Sequence, residues 1–179
     1  MSTLSMPEPA TNSPVYLVTG ATGYVGGRLV AALLREGIRV RVLARHPERL
    51  RDFPWADHIE VAAGDAGGPV SLAQAMDGVT VAYYLLHSLQ EGNQLEKEER
   101  RIAENFANCA KNAQIKRIVY LGGRAPQIPR EKMSPHMRSR VDVGQILHDS
   151  GIPTIELRAA VIIGSGSASF EMLRYLTER

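Results

Sequence analysis

From Val15 onward, apolar residues fall into two alternating patterns, short continuous runs and longer helical periods. Val15–Thr19 is a β-rich run that stops at Gly20. From Tyr24 the apolar residues Val25, Leu29, Val30, Leu33 and Leu34 recur at helical spacing until Gly37, a residue type suited to the position after a helix end. Ile38–Ala44, with Val40 and Val42 alternating against arginines, predicts a second strand. A strand, a helix and a strand within about thirty residues form a βαβ unit, which requires a parallel sheet.

The alternation continues to the last residues. It predicts a short helix near Pro47–Asp52, a strand near Ile59–Ala62, the turn Gly64-Asp65, a helix over Val70–Met76 and a strand over Val79–Leu86. A long helix follows over Gln94–Ala113, with apolar positions at Leu95, Ile102, Phe106, Cys109 and Ala113. The strand Arg117–Leu121 is expected to end at Gly122-Gly123, the helix Pro135–His148 to be closed by Gly151, and a sixth strand to run over Thr154–Ile163 before a final helix, Ala168–Thr177. This order predicts an α/β fold over residues 15–179, a doubly wound (Rossmann) parallel sheet of about six strands with helices on both faces. Residues 1–14, rich in Ser, Thr and Pro, are expected to form a disordered tail. The chain stops as its last helix forms, so a substantial substrate domain is not expected within it. Either a ligand beyond the cofactor sits on loops of this one domain, or the sequence is C-terminally truncated.

Composition narrows the possibilities. A chain of 179 residues can bury about 70% of its unfolded surface without a disulfide or metal staple. The single cysteine, Cys109, excludes an internal disulfide, suits a reducing compartment and reads as a small apolar residue on a helix face. With 21 basic and 19 acidic side chains the formal charge is +2, so no nucleic-acid partner is expected. No run approaches the ~18 apolar residues of a membrane span, and residues 1–14 contain no Lys or Arg that could open a signal peptide. The expectation is a soluble, cytoplasmic protein. The charged run Glu96–Arg101 reads as the solvated face of the long helix, and the five histidines lack metal-ligand spacing, so no metal site is expected.

The chemistry concentrates at the first turn. Gly20, Gly23 and Gly26 follow a strand and open a helix, so the segment Gly20, Thr22, Gly23, Tyr24, Val25 and Gly26 is expected to cradle a dinucleotide pyrophosphate on unpaired N–H groups at the positive end of a helix dipole. The end of the second strand reads Ala44-Arg45-His46, with no carboxylate before Glu48. A carboxylate there would bind the ribose 2′-OH of NAD, whereas a guanidinium matches the 2′-phosphate of NADP. Arg45 therefore favours NADP(H) over NAD(H), with Arg41, inside the strand, as a weaker candidate. Asp65 is either an acceptor for the adenine amino group or a turn aspartate or helix N-cap. Leu85, Leu86 and His87 lie where the fourth strand presents its carboxyl end to a ligand, which makes His87 a candidate for the nicotinamide side.

These residues carry a resemblance. Thr19-Gly-Ala-Thr-Gly-Tyr-Val-Gly26, Arg45, Gly64-Asp65, Ala82-Tyr-Tyr-Leu-Leu-His-Ser88 and Leu157-Arg-Ala-Ala-Val-Ile-Ile-Gly164 resemble the atypical short-chain dehydrogenase/reductase proteins, more narrowly the NmrA-like and YbjT-like NAD(P)-binding branch. The resemblance implies a Rossmann fold, an NAD(P) cofactor, members that usually continue past this length, and a possible homodimer or protein partner through the long helices around 94–113 and 135–148. Active members carry a serine after strand five and a Tyr-x-x-x-Lys pair on the next helix. This chain has Leu121-Gly122-Gly123 and His136-Met-Arg-Ser-Arg140 instead. The i, i+4 spacing keeps His136 and Arg140 on one helix face. His136 could move a proton near neutral pH, or simply start the helix after Pro135, while Arg140, which cannot release its proton, could hold ribose hydroxyls or phosphate. The resulting expectation is an NADP(H)-binding protein without the Ser-Tyr-Lys set that senses the cofactor and acts through a partner. The alternative is an NADPH-dependent reductase or isomerase of a small carbonyl or quinone.

Overall fold

The computed structural model describes residues 13–86, 93–124, 127–160, 162–164 and 166–178. Among the described residues, six strands, β1 (Val15–Thr19), β2 (Arg39–Ala44), β3 (Glu60–Ala63), β4 (Val79–Tyr84), β5 (Arg117–Gly123) and β6 (Thr154–Ala159), form one sheet in the order β3-β2-β1-β4-β5-β6. Every pairing is parallel. The α-helices are α1 (Tyr24–Arg35), α2 (Pro69–Met76), α3 (Asn93–Asn112), α4 (Pro135–Asp149) and α5 (Ala168–Thr177). The doubly wound fold read from the alternation is therefore the observed one.

Two apolar cores lie on opposite faces of the sheet. Leu17 and Val18 are neighbours on β1, both fully buried, and belong to different cores because successive strand residues point to opposite faces. α1 and the 3-10 segment Pro47–Asp52 cover one face, where Trp55 stacks on Phe53 and donates from Nε1 to the Gly27 carbonyl at 3.0 Å. α2, α3 and α4 cover the other, where Tyr84 meets Phe106 edge-on at 4.9 Å and Tyr120 at 5.7 Å. Cys109 is buried in this second core, as a small apolar residue would be. No helix of the described residues is long and apolar enough to cross a membrane.

Four expectations need correction. β5 does not stop at Leu121: Gly122 and Gly123 stay in the ladder, paired with Arg158 and Ala159. β4 ends at Tyr84 and β6 at Ala159, so Leu85, Leu86 and residues 162–164 leave the sheet. The run Glu96–Arg101 is not simply a solvated face. Glu96 pairs with Arg138 at 2.8 Å, the buried Glu99 accepts a short hydrogen bond from Ser139, and Arg100 reaches Asp142 at 2.8 Å, so three of its six residues join α3 to α4. Residues 1–12 of the expected tail lie outside the described residues, as does His87.

Candidate dinucleotide site

The strand order reverses between β1 and β4, because the chain moves outward to β2 and β3 from one and to β5 and β6 from the other. Such a switch point opens a crevice at the carboxyl ends of the strands. The glycine turn stands there. Gly20 has φ +73°, a left-handed conformation open to glycine at little cost, and a Cβ on it would lie 2.9 Å from the Leu85 carbonyl oxygen. Gly26 is tighter still, since a Cβ there would lie 2.2 Å from the Gly20 carbonyl oxygen. These two glycines let α1 begin directly on the end of β1, beside the end of β4. Gly23 is the exposed member, and its N–H donates back to Gly20 at 3.0 Å to close the turn.

Gly23 is also the N-cap of α1, and no side chain caps the helix. The first turn carries no acidic residue. The leading N–H groups of a helix have no intrahelical acceptors, and the helix dipole adds partial positive charge at the same end. An anion is therefore the group that fits this turn. Tyr24 is held beside it, with the Arg28 guanidinium 3.6 Å from the ring centroid and donating to the Tyr24 carbonyl at 3.2 Å. The Tyr24 hydroxyl packs so close to Gly164 that a Cβ on that glycine would lie 1.9 Å from it. The segment after β6 thus forms a wall against the turn.

The adenosine side of a dinucleotide would lie over β2 and β3, and there the structure brings two of the named residues together. Arg45 Nε lies 3.9 Å from Asp65 Oδ2, with both side chains exposed. Asp65 Oδ1 accepts from Gly67 N at 2.7 Å, which is the turn role considered for it. Arg41 points elsewhere: it donates to Glu60, to the Ala75 carbonyl at 3.0 Å and to the Asp77 carbonyl at 2.6 Å, tying β2 to β3 and to the end of α2.

On the nicotinamide side, Leu85 and Leu86 flank the turn, half-buried. Arg140 extends over the end of β5 and donates a short hydrogen bond to the Leu121 carbonyl, while Tyr120 donates from its hydroxyl to the Arg140 carbonyl at 3.0 Å. Burial pushes the Tyr120 phenol up to about 12, against the nearby Arg140 charge, and pushes Tyr84 well above the ordinary tyrosine range. These phenols keep their protons at neutral pH and serve the core. His136 is exposed in the first turn of α4, behind the N-cap Ser134, whose hydroxyl accepts from Met137 N at 3.3 Å. The structure therefore separates the surface imidazole from the half-buried Arg140. No group of three His, Cys, Asp or Glu able to hold a metal occurs among the described residues.

Sequence reasoning passed over three contributors. Thr19, a polar residue closing an apolar run, is fully buried and bonds the end of β1 to β4. Glu156 lies against Gly122 and Gly144, filling the space a larger residue at 122 would need. Gly164 ended a recognisable run, but only the folded chain shows that it faces Tyr24.

A family model described as NAD(P)H-binding matches residues 20–152, which begin at the first glycine of the turn. A ceramide reductase of Caulobacter vibrioides is 32% identical over 120 residues, covering 64% of this chain and 37% of that protein. A (4-alkanoyl-5-oxo-2,5-dihydrofuran-3-yl)methyl phosphate reductase of Streptomyces griseus is 34% identical over 137 residues, 76% of this chain and 44% of that one. The chain thus spans less than half the length of either relative. The triphenylmethane reductase of Citrobacter sp. superposes with a TM-score of 0.71 at 25% identity, over 92% of this chain and 54% of its own. Matched glycine turn, sheet order and family model together place the chain in the NAD(P)H-binding family of atypical short-chain dehydrogenase/reductase proteins.

Proposed function

We propose that the domain binds NADP(H) in preference to NAD(H), and that the protein is a reductase acting on a small carbonyl or quinone substrate without a Ser-Tyr-Lys set. The observation that carries the cofactor reading is the uncapped first turn of α1, with Arg45 presented at the end of β2. A guanidinium fork suits a phosphate dianion better than a ribose hydroxyl. Bound NADPH would supply the hydride. The chain's part would be to hold it at the switch point, with Leu85 and Leu86 against one side of the crevice and Tyr24 and Gly164 forming another wall. The reductase names of the relatives support the reaction class. Positioning alone lowers a hydride-transfer barrier substantially, so a missing proton relay does not preclude turnover.

A second reading, a cofactor sensor working through a partner or a homodimer, is favoured by Arg140 and His136. The first is engaged by the Leu121 carbonyl and the second stands on the surface, so neither resembles a poised proton donor.

Fluorescence titration of NADPH and NADH tests the binding claim. Arg45→Ala is expected to weaken NADPH by about tenfold or more, from the ~1.5–3 kcal/mol of a charged hydrogen bond, with little change for NADH. Equal loss for both would refute the role of Arg45. Following reduced-nicotinamide absorbance against carbonyls and quinones then separates the two readings: turnover supports the reductase, and binding without turnover supports the sensor.

A further inference from the structure

We infer that Asp65 sets the cofactor selectivity of this site by competing with the 2′-phosphate for Arg45. This inference rests on the NADP(H) reading above. Its basis is how the two oxygens of one carboxylate are divided. Oδ1 is fixed by Gly67 N at 2.7 Å, leaving Oδ2 as the oxygen 3.9 Å from Arg45 Nε. The loop holding the carboxylate is itself rigidly tied. The Asp65 carbonyl accepts from Ser71 Oγ at 3.0 Å and from Gly68 N at 2.9 Å, and the Gly67 carbonyl accepts from Arg101 at 2.8 Å and Asn105 at 3.1 Å, both on α3. Gly64 leaves no slack, since a Cβ there would lie 2.4 Å from Ser71 Cβ.

Arg45 is the opposite case. Its side chain is 73% exposed and the Asp65 contact is loose, at ion-pair distance without a hydrogen bond. A fixed carboxylate therefore faces a guanidinium that can swing away from it. Neighbouring charges do not change this division. Arg101, the other guanidinium beside Asp65, is already paired with Glu98 at 2.6 Å, and Glu48, the next carboxylate along the chain from Arg45, lies 3.2 Å from His46 Nδ1.

The two cofactors meet this pair differently. A ribose 2′-hydroxyl leaves the Arg45–Asp65 pair intact. A 2′-phosphate must draw Arg45 off Asp65 and then sit near a carboxylate whose other cationic neighbour, Arg101, is shared with Glu98, so Asp65 opposes NADP(H) while leaving NAD(H) unaffected. Because the pair is exposed, the effect is moderate, a few-fold to about tenfold in affinity. The carboxylate thus acts as a brake on the preference that Arg45 creates.

The test is calorimetric titration of the full chain with NADPH, NADH, adenosine 2′,5′-bisphosphate and AMP, using wild type, Asp65→Asn, Arg45→Ala and the double variant. An asparagine in place of Asp65 can still accept from Gly67 N, so the turn is preserved. The expected result is that Asp65→Asn tightens NADPH and the bisphosphate about three- to tenfold, leaves NADH and AMP within about twofold, and loses most of that gain in the Arg45→Ala background. Equal weakening of all four ligands by Asp65→Asn would make Asp65 a purine contact and overturn the inference, while the Arg45 reading survives. A gain undiminished without Arg45 would overturn the competition route. Failure of wild type to bind either dinucleotide would overturn the binding proposal itself and this inference with it.

Discussion

Thr19 Oγ1 donates to the Tyr83 carbonyl at 2.9 Å and accepts from Leu85 N at 3.3 Å, so one fully buried hydroxyl fastens the end of β1 to the end of β4. The two strands it joins are the two sides of the switch point. Thr19→Val keeps the shape but removes the hydroxyl that the half-buried Tyr83 carbonyl and Leu85 N–H share, at a cost of about 1–3 kcal/mol. Urea unfolding is expected to show that loss, and Thr19→Ser to recover most of it. Equal stability of the Val and Ser variants would mean that packing, not the hydroxyl, holds the crevice.

Gly26→Ala strikes the same place from the helix side. Its Cβ would lie 2.2 Å from the Gly20 carbonyl oxygen and 2.7 Å from Ala21 Cα, both backbone, so α1 must move off the strand. The expected outcome is a stability loss of about 1–3 kcal/mol and NADPH binding weakened more than tenfold. Gly23→Ala is the control. Its Cβ would approach the same oxygen only to 3.2 Å, a clash relieved by a few tenths of an ångström, so its effect on unfolding should be clearly smaller.

What could be read from the sequence was local. β1, the glycine turn and α1 are specified by neighbours in the chain, and their bounds follow from Val15–Thr19, Gly20 and the period from Tyr24 to Leu34. Glycine usually weakens a strand, so the sequence points to an early stop for β5, whereas Gly122 and Gly123 are held by pairing with Arg158 and Ala159, far along the chain on β6. Charge alone also misled. Glu99 and Arg100 follow Glu96 by three and four residues, on the one stripe of α3 that meets α4, yet a run of like-looking charged residues gives no sign of what will face it. The site divides in the same way. The turn was legible, but the Arg45–Asp65 pair, the Tyr24–Gly164 contact and the hold of Leu121 on Arg140 join residues from different crossovers, and only the sheet order brings them together.

Placing a serine at the end of β5 should succeed at one of its last two glycines and fail at the other. A Cβ on Gly122 would lie 2.5 Å from Glu156 Oε1 and 3.1 Å from Tyr120 Cε1, whereas one on Gly123 meets Arg140 at 3.7 Å, an ordinary contact. Gly122→Ser is expected to destabilise by about 1–3 kcal/mol, since either the Glu156 carboxylate or the buried Tyr120 ring must shift. Gly123→Ser should stay within about 1 kcal/mol of wild type by thermal unfolding. The reverse ranking would mean that Glu156 does not occupy the space over Gly122.

Asp142 makes the joint between α3, α4 and the segment before α4 pH-dependent. Its carboxylate accepts from both Arg130 nitrogens, at 2.5 and 2.7 Å, and from Arg100 at 2.8 Å. The Arg130 hydrogen bonds hold its carboxyl below the ordinary aspartate range, outweighing the burial that would raise it. A carboxyl depressed in the folded state binds its proton more readily when unfolded. Its contribution is therefore complete above the unfolded value near 3.9 and disappears as pH falls through the lower folded value. Because both arginines are half-exposed, the contribution is about 1–2 kcal/mol. Urea unfolding should find Asp142→Asn less stable than wild type by that amount near about pH 7, with the gap closing steadily below about pH 4. A gap that persisted unchanged into acid would show that the Asp142→Asn substitution costs stability through packing, and that the ion cluster of Asp142 with Arg100 and Arg130 contributes nothing through its charge.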